Sequence, residues 1–361
     1  MDGSADARAL RGATRLKGAL CSAILALPLA AYGGERFEPQ DGKTILIVGQ
    51  ERTEIARYWS EVGPAGGYML YGSLATLGGL RGPERGRGCS DSGWLDFGDW
   101  VRNYPDTVAQ VGLYMVGAAE AVAAGELDHV VAEMGRILRE SRKPVFLRIG
   151  YECDGPWNRY PPDPYKRAWR RMADILRGRK VGRGTPIAPV TNVALVWHSA
   201  AHATHAGHSF RAWYPGDDSV DWVAVSWFPW AKRDDEATAA AARDAVAEFA
   251  RRHRKPLMIA EAAPKSFFEA DAPDAWRGWH AGVLAWIARN NVKAYSYINQ
   301  DWSAMPQWHA ECGQGGDWGN TRVQKPGSVI LDAWRNEVSG ARWLKQGPGL
   351  FPAIGFVPDN R

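Results

Sequence analysis

The sequence predicts a single-domain α/β protein, a (β/α)8 TIM barrel, on three observations. Eight short apolar runs follow one another between residues 44 and 298. Amphipathic helical stretches separate several of them. The turn after the first run, Gly49-Gln50-Glu51-Arg52, lacks the G-x-G-x-x-G fingerprint of the competing open, doubly wound sheet.

The runs are Thr44–Val48, Gly67–Tyr71, Gln110–Val116, Pro144–Ile149, Asn192–Trp197, Val220–Ser226, Pro256–Ala260 and Val292–Ile298. They are rich in β-branched and aromatic residues and nearly continuous in apolar character. That pattern suits strands buried on both faces of a parallel sheet. Helical spacing shows in Leu127–Ser141, through Val130, Val131, Met134, Ile137 and Leu138, and in Pro164–Arg177, through Tyr165, Trp169, Met172 and Leu176. It shows again in Glu236–Arg254 and Asp274–Asn290. Strand–helix alternation implies right-handed βαβ units, and eight such units close on themselves.

The expected boundaries are a leader over residues 1–31, the barrel over 40–340 and a surface tail over 341–361. Arg8 to Lys17 form a basic stretch ahead of an apolar run, Ala19 to Ala31, that ends in small residues, as a secretory signal peptide does. The run is shorter than the roughly 20 apolar residues that span a bilayer. A secreted or periplasmic protein is expected, with no membrane association after leader removal. Cys89, Cys153 and Cys312 remain, so at most one disulfide forms; the pair is left open.

Composition narrows the partner. The net charge of +4 is partly in the leader, so the mature surface is near neutral and nucleic acid is not expected. The chain has 18 Trp, many beside Gly, Pro or Asp, as in Gly155-Pro156-Trp157 and Asp301-Trp302. Flat aromatic faces on loops suit sugar rings, so a polysaccharide or oligosaccharide is the expected partner.

Catalytic groups of such barrels sit at the C-terminal ends of strands. Glu152 follows the fourth run and Glu261 the seventh. Both follow strongly apolar segments, where a charge is costly without a partner or a task. Strands four and seven lie on roughly opposite sides of an eight-strand ring, so inward-leaning carboxylates can converge. One carboxyl that donates a proton and one that attacks an anomeric carbon make a retaining glycosidase. No cofactor or metal is expected for that chemistry.

Leu147-Arg148-Ile149-Gly150-Tyr151-Glu152 with Gly155-Pro156-Trp157-Asn158 resembles the acid/base strand of glycoside hydrolase family 26. Trp213-Tyr214-Pro215-Gly216-Asp217 with Val220-Asp221-Trp222-Val223 is similar to that family's sixth-strand region, and Lys255–Glu261 to its nucleophile strand. The resemblance runs from about Val111 to Trp302. It implies a clan A glycosidase acting on a β-linked polysaccharide, with Glu152 as acid/base and Glu261 as nucleophile. Tyr151 stands where family 26 mannanases have His, and Trp227 where they have Tyr. These departures bear on which sugar is bound, not on the carboxylates.

Other expected site residues follow from position. Arg148, inside the fourth strand, can hold a carboxylate ionised. Trp302 after the eighth strand resembles the clan's sugar platform. Trp197 and His198 end the fifth strand and are expected to line the cleft, His198 hydrogen-bonding a sugar hydroxyl. Trp157 and Asn158, with Tyr151 and Trp227, are further sugar contacts, and Gln50 and Glu51 are candidates at the end of the first strand. Two other readings compete. One is a carbohydrate-binding barrel without turnover. The other is a metal-dependent polysaccharide-modifying enzyme using His198, His202, His205 and His208, whose spacing is irregular.

Overall fold

The computed structural model describes residues 35–82, 96–182, 186–202, 209–230, 232–305 and 318–358. The leader, Cys89, Cys312, His205 and His208 lie outside the described residues.

Eight parallel strands form a closed ring: β1 (Thr44–Gly49), β2 (Gly67–Ser73), β3 (Val108–Tyr114), β4 (Val145–Ile149), β5 (Val193–Ser199), β6 (Trp222–Trp227), β7 (Leu257–Ala262) and β8 (Ala294–Ile298). They pair in chain order, and β8 and β2 both pair with β1, which shuts the barrel. Helices fill the crossovers: α1 (Arg52–Glu61), α2 (Phe97–Asn103), α3 (Ala119–Ala124), α4 (Asp128–Glu140), α5 (Pro162–Leu176), α6 (Arg233–Arg252), α7 (Ala281–Arg289) and α8 (Leu331–Ser339). The architecture is a (β/α)8 barrel. Among the described residues no helix is long and apolar enough to cross a membrane.

Strand residues alternate between two apolar layers. Ile45, Ile47, Met69, Val108, Phe146, Ala194, Val196, Trp222, Ala224, Met258 and Ile298 fill the barrel interior. Leu46, Leu70, Val111, Leu147, Leu195, Val223 and Tyr295 pack outward with the helices. Burial on both faces is why the runs read as continuous rather than alternating.

The tail is not only a surface wrap. Its short strand β9 (Trp343–Leu344) pairs with β1, ahead of α9 (Leu350–Ala353). Leu350, Ile354 and Phe356 then join Phe37 in the interior cluster, and Phe37 meets Phe146 and Phe356 edge-on. Phe146 lies at the start of β4, so these segments plug the N-terminal end. The other end is left to carry the chemistry.

Candidate active site

Three inward positions on adjacent strands carry polar side chains where neighbours are apolar: Arg148 on β4, His198 on β5 and Ser226 on β6, all buried. Arg148 donates from Nη1 to Glu261 Oε1 in an ion pair. Its guanidinium lies 5.2 Å from both the Tyr71 and Tyr151 ring centres, and the two rings meet each other edge-on at 5.3 Å. Gly112 makes the space: a Cβ there would come within 2.7 Å of Arg148 Nη2 and of the Tyr71 ring.

Glu261 reaches this interior through an irregularity. Across β6, Val225 pairs with Ile259 but Ser226 pairs with Glu261, so β7 has one residue more than its neighbour. The same slip separates Ile259 from Ala262 against β8. Met258 and Ala260 face in, Ala262 faces out, and Glu261 takes an inward place that strict alternation would deny it. Beneath it, Gln110 donates to the Ala260 carbonyl at 2.9 Å and accepts from Ser296 Oγ at 2.7 Å, which fixes the bulged backbone.

Glu152 sits past β4 in a tight turn. Its φ is +49°, and Gly150 before it has φ +52°. A left-handed non-glycine residue costs on the order of 1–3 kcal/mol and persists only when its surroundings hold it. Here Asn158 Nδ2 donates to the Tyr151 and Glu152 carbonyls, and the Gly155 N–H donates to Glu152 as well. The Cys153 N–H donates to the His198 carbonyl, and Asp154 accepts from Ser199 Oγ and the Ala200 N–H, tying the turn to β5.

Glu152 is 7% exposed, and its carboxyl accepts two hydrogen bonds: Oε1 from Ser226 Oγ at 2.6 Å, Oε2 from Trp157 Nε1 at 2.7 Å. Burial, and then the charge of Glu261, push its pKa up from 4.5 to about 8, against the pull of those donors and of Arg148. The two carboxyl groups therefore feel one another while their surroundings differ. His198 bonds Arg148 through Nδ1 at 3.3 Å and Ser226 through Nε2 at 3.0 Å. Burial and the Arg148 charge hold its pKa well below the usual histidine value, so it is neutral.

Several expected sugar contacts lie elsewhere. His198 is fully buried with both ring nitrogens engaged, so it forms the floor of the site rather than touching a hydroxyl. The same engagement withdraws it from a histidine metal set, and the described residues hold no group of three ligand side chains. Trp197, one residue earlier, faces outward against Phe210, Tyr214 and Phe249. Trp227 also faces outward, stacked edge-on to Trp286 with the Arg243 guanidinium 4.1 Å from its ring centre. Asn158 is spent on holding the Glu152 turn. Glu51 caps α1, accepting from the Thr53 and Glu54 N–H groups. Gln50 is buried at the end of β1, its side-chain amide without a protein partner. Cys153 is a buried free thiol.

Other aromatics stand at the mouth. Trp157 is 48% exposed and meets His202 edge-on at 4.9 Å; His202 in turn meets Trp230 at 4.2 Å. Lys265 lies over Trp230 and Trp318, and Trp318 packs 4.9 Å from the almost enclosed Trp302. Sequence reasoning missed Ser226, Gln110, Tyr71, Trp230 and Lys265. A polar residue in phase with Trp222 and Ala224 was the available sign for Ser226.

No protein-family model matches the chain. Over 349 residues it is 28% identical to a β-1,3-xylanase of an Alcaligenes species, covering 90% of this chain and 69% of that one. Over 362 residues it is 28% identical to a β-1,3-xylanase of a Vibrio species, covering 91% and 74%. Among solved structures, a modular endo-β-1,4-mannanase of Cellulomonas fimi superposes with a TM-score of 0.58 at 15% identity, over 84% of this chain and 72% of that one. A family 26 β-mannanase of Bacteroides ovatus gives 0.57 at 15% identity, over 89% and 94%. Sequence kinship to two β-1,3-xylanases across nine-tenths of its length marks the chain as a glycosidase, built on a (β/α)8 barrel similar to that of the family 26 mannanases.

Proposed function

We propose that the chain is a retaining hydrolase of a β-linked polysaccharide, with Glu152 as general acid/base and Glu261 as nucleophile. One observation carries the reading: two buried carboxyl groups interact across the barrel mouth in unlike surroundings. The guanidinium of Arg148 meets Glu261 as its ion-pair partner. Burial and that neighbouring charge favour a proton on Glu152. Glu261 attacks the anomeric carbon as the glycosidic C–O bond breaks, and Glu152 gives its proton to the departing oxygen. Glu152, now ionised, takes a proton from the water that attacks the same carbon, and Glu261 leaves as carboxylate. Two inversions return the original configuration.

The half-exposed Trp157 and the neighbouring Trp230 and Trp318 supply flat faces for a chain of sugar rings. The names of the two sequence relatives make β-1,3-xylan the first substrate to test. The basic-then-apolar stretch of residues 1–31 supports export. The decisive experiment follows β-1,3-xylan and β-1,4-mannan by proton NMR as hydrolysis begins. The expected first product has the β configuration, and Glu261→Ala abolishes turnover until azide is added, which yields an α-glycosyl azide. An α product at the outset, or undiminished turnover by Glu261→Ala, overturns the assignment. Polysaccharide binding without hydrolysis by the wild type would leave a binding barrel instead.

A further inference from the structure

The strongest feature outside the carboxylates themselves is the buried chain that joins them. From Glu261 it runs through Arg148 Nη1, His198 Nδ1, His198 Nε2 and Ser226 Oγ to Glu152 Oε1. Its members come from β7, β4, β5, β6 and the turn after β4. Donor chemistry fixes the polarity of every link. A guanidinium donates and cannot accept, so the Nδ1 that faces it carries the lone pair. A neutral imidazole then has its proton on Nε2, which is donated to Ser226 Oγ. The serine hydroxyl, already accepting, directs its own proton to Glu152 Oε1 at 2.6 Å. Glu152 Oε2, beside the half-exposed Trp157, is the oxygen left toward the mouth.

We propose that His198 and Ser226 are positioning residues that fix Glu152 as the end of a one-way line of hydrogen-bond donors starting at the Arg148–Glu261 pair, so that the state of the nucleophile is felt at the acid/base. The proposal rests on the functional reading above and deepens it. No proton travels the line, because Arg148 would have to give one up; the line carries dipole orientation and charge. While Glu261 is a carboxylate it neutralises Arg148. Once Glu261 is esterified to the sugar, the Arg148 charge is no longer balanced. The aligned donors then favour an ionised Glu152, the form that activates water. Besides these groups, Glu152 faces the Trp157 indole, and Arg148 faces the Tyr71 and Tyr151 rings. The second half-reaction therefore depends on Ser226 and His198 more than the first.

The test combines a tautomer measurement with a kinetic split. Nitrogen-15 NMR of histidine-labelled protein, with His198→Gln to assign the signal, is expected to show a neutral imidazole protonated on Nε2 throughout pH 5–9 (roughly, the span over which an ordinary histidine loses its charge). A proton on Nδ1, or an imidazolium, overturns the proposal. Ser226→Ala is expected to move the Glu152 titration, followed by carbon-13 NMR of labelled glutamates, upward by about one pH unit, as loss of one charge-assisted hydrogen bond does. With β-1,3-xylo-oligosaccharides it should lower kcat by about tenfold or more and kcat/KM by less. Ser226→Thr keeps the hydroxyl, and His198→Gln keeps an acceptor toward Arg148 and a donor toward Ser226; both should restore the titration and the split. Equal losses in kcat and kcat/KM with an unmoved titration refute the coupling. The two NMR readouts need no turnover, so a protein that hydrolyses nothing would remove the functional reading while still deciding the line of donors.

Discussion

Glu152→Gln should change how stability depends on pH, in a direction the site dictates. The wild-type carboxyl has a folded pKa of about 8 against an ordinary 4.5. Between those values the folded chain binds a proton that the unfolded chain has lost, so rising pH favours unfolding. The stabilisation is complete below about pH 4.5 and gone above about pH 8. At about 1.36 kcal/mol per unit, the window is worth a few kcal/mol. Glutamine resembles the protonated acid in shape and does not titrate. The stability of the wild type minus that of the variant should therefore fall from pH 4.5 to 8, with titrating groups remote from the Glu152–Glu261 pair cancelling in the difference. Urea unfolding of both proteins at matched pH values measures it. Two curves that stay parallel across the window would refute the claim that burial and Glu261 keep Glu152 protonated.

Three other substitutions separate the roles of neighbouring residues. Arg148→Met leaves Glu261 buried without its cation, which should cost about 3–5 kcal/mol in chemical denaturation and abolish hydrolysis. Trp157→Phe removes the indole donor to Glu152 Oε2 at a half-exposed position. The basic limb of the kcat/KM profile should move upward, while the melting temperature changes little. Trp197→Ala empties a fully buried outward site and should cost about 3–5 kcal/mol, with KM for oligosaccharide unchanged in whatever remains folded.

The eight strands were legible because parallel barrel strands are apolar on both faces, and continuous runs such as Val145–Ile149 stand out against helical spacing. Glu152 and Glu261 were legible as acids ending such runs, and the Arg148 partnership as a cation within one. The same double burial hid which face each residue takes. In β5, Val193, Leu195 and Trp197 point to the helices while Ala194, Val196 and His198 point inward, yet both sets are apolar until the last member. Trp197 and His198 were therefore assigned to one cleft although adjacent strand residues take opposite faces. Trp227 was misplaced for the same reason, since its neighbour Ser226 holds the inward position.

The bulge in β7 shows how far a sequence pattern can mislead about the one residue that matters most. With Met258 and Ala260 inward, simple alternation sends residue 261 outward, into the layer that holds Ile259 and Ala262. A glutamate there would be buried against the helices, and Arg148 would be left without its carboxylate in the barrel. An unpaired buried charge costs several kcal/mol. One extra residue between Ile259 and Ala262 brings the two side chains together instead. Gln110 and Ser296 hold the displaced Ala260 carbonyl, so the polar core under the site stabilises an irregular backbone rather than contacting sugar. The site is built from a local departure from sheet regularity, set by interior hydrogen bonds that no strand pattern reveals.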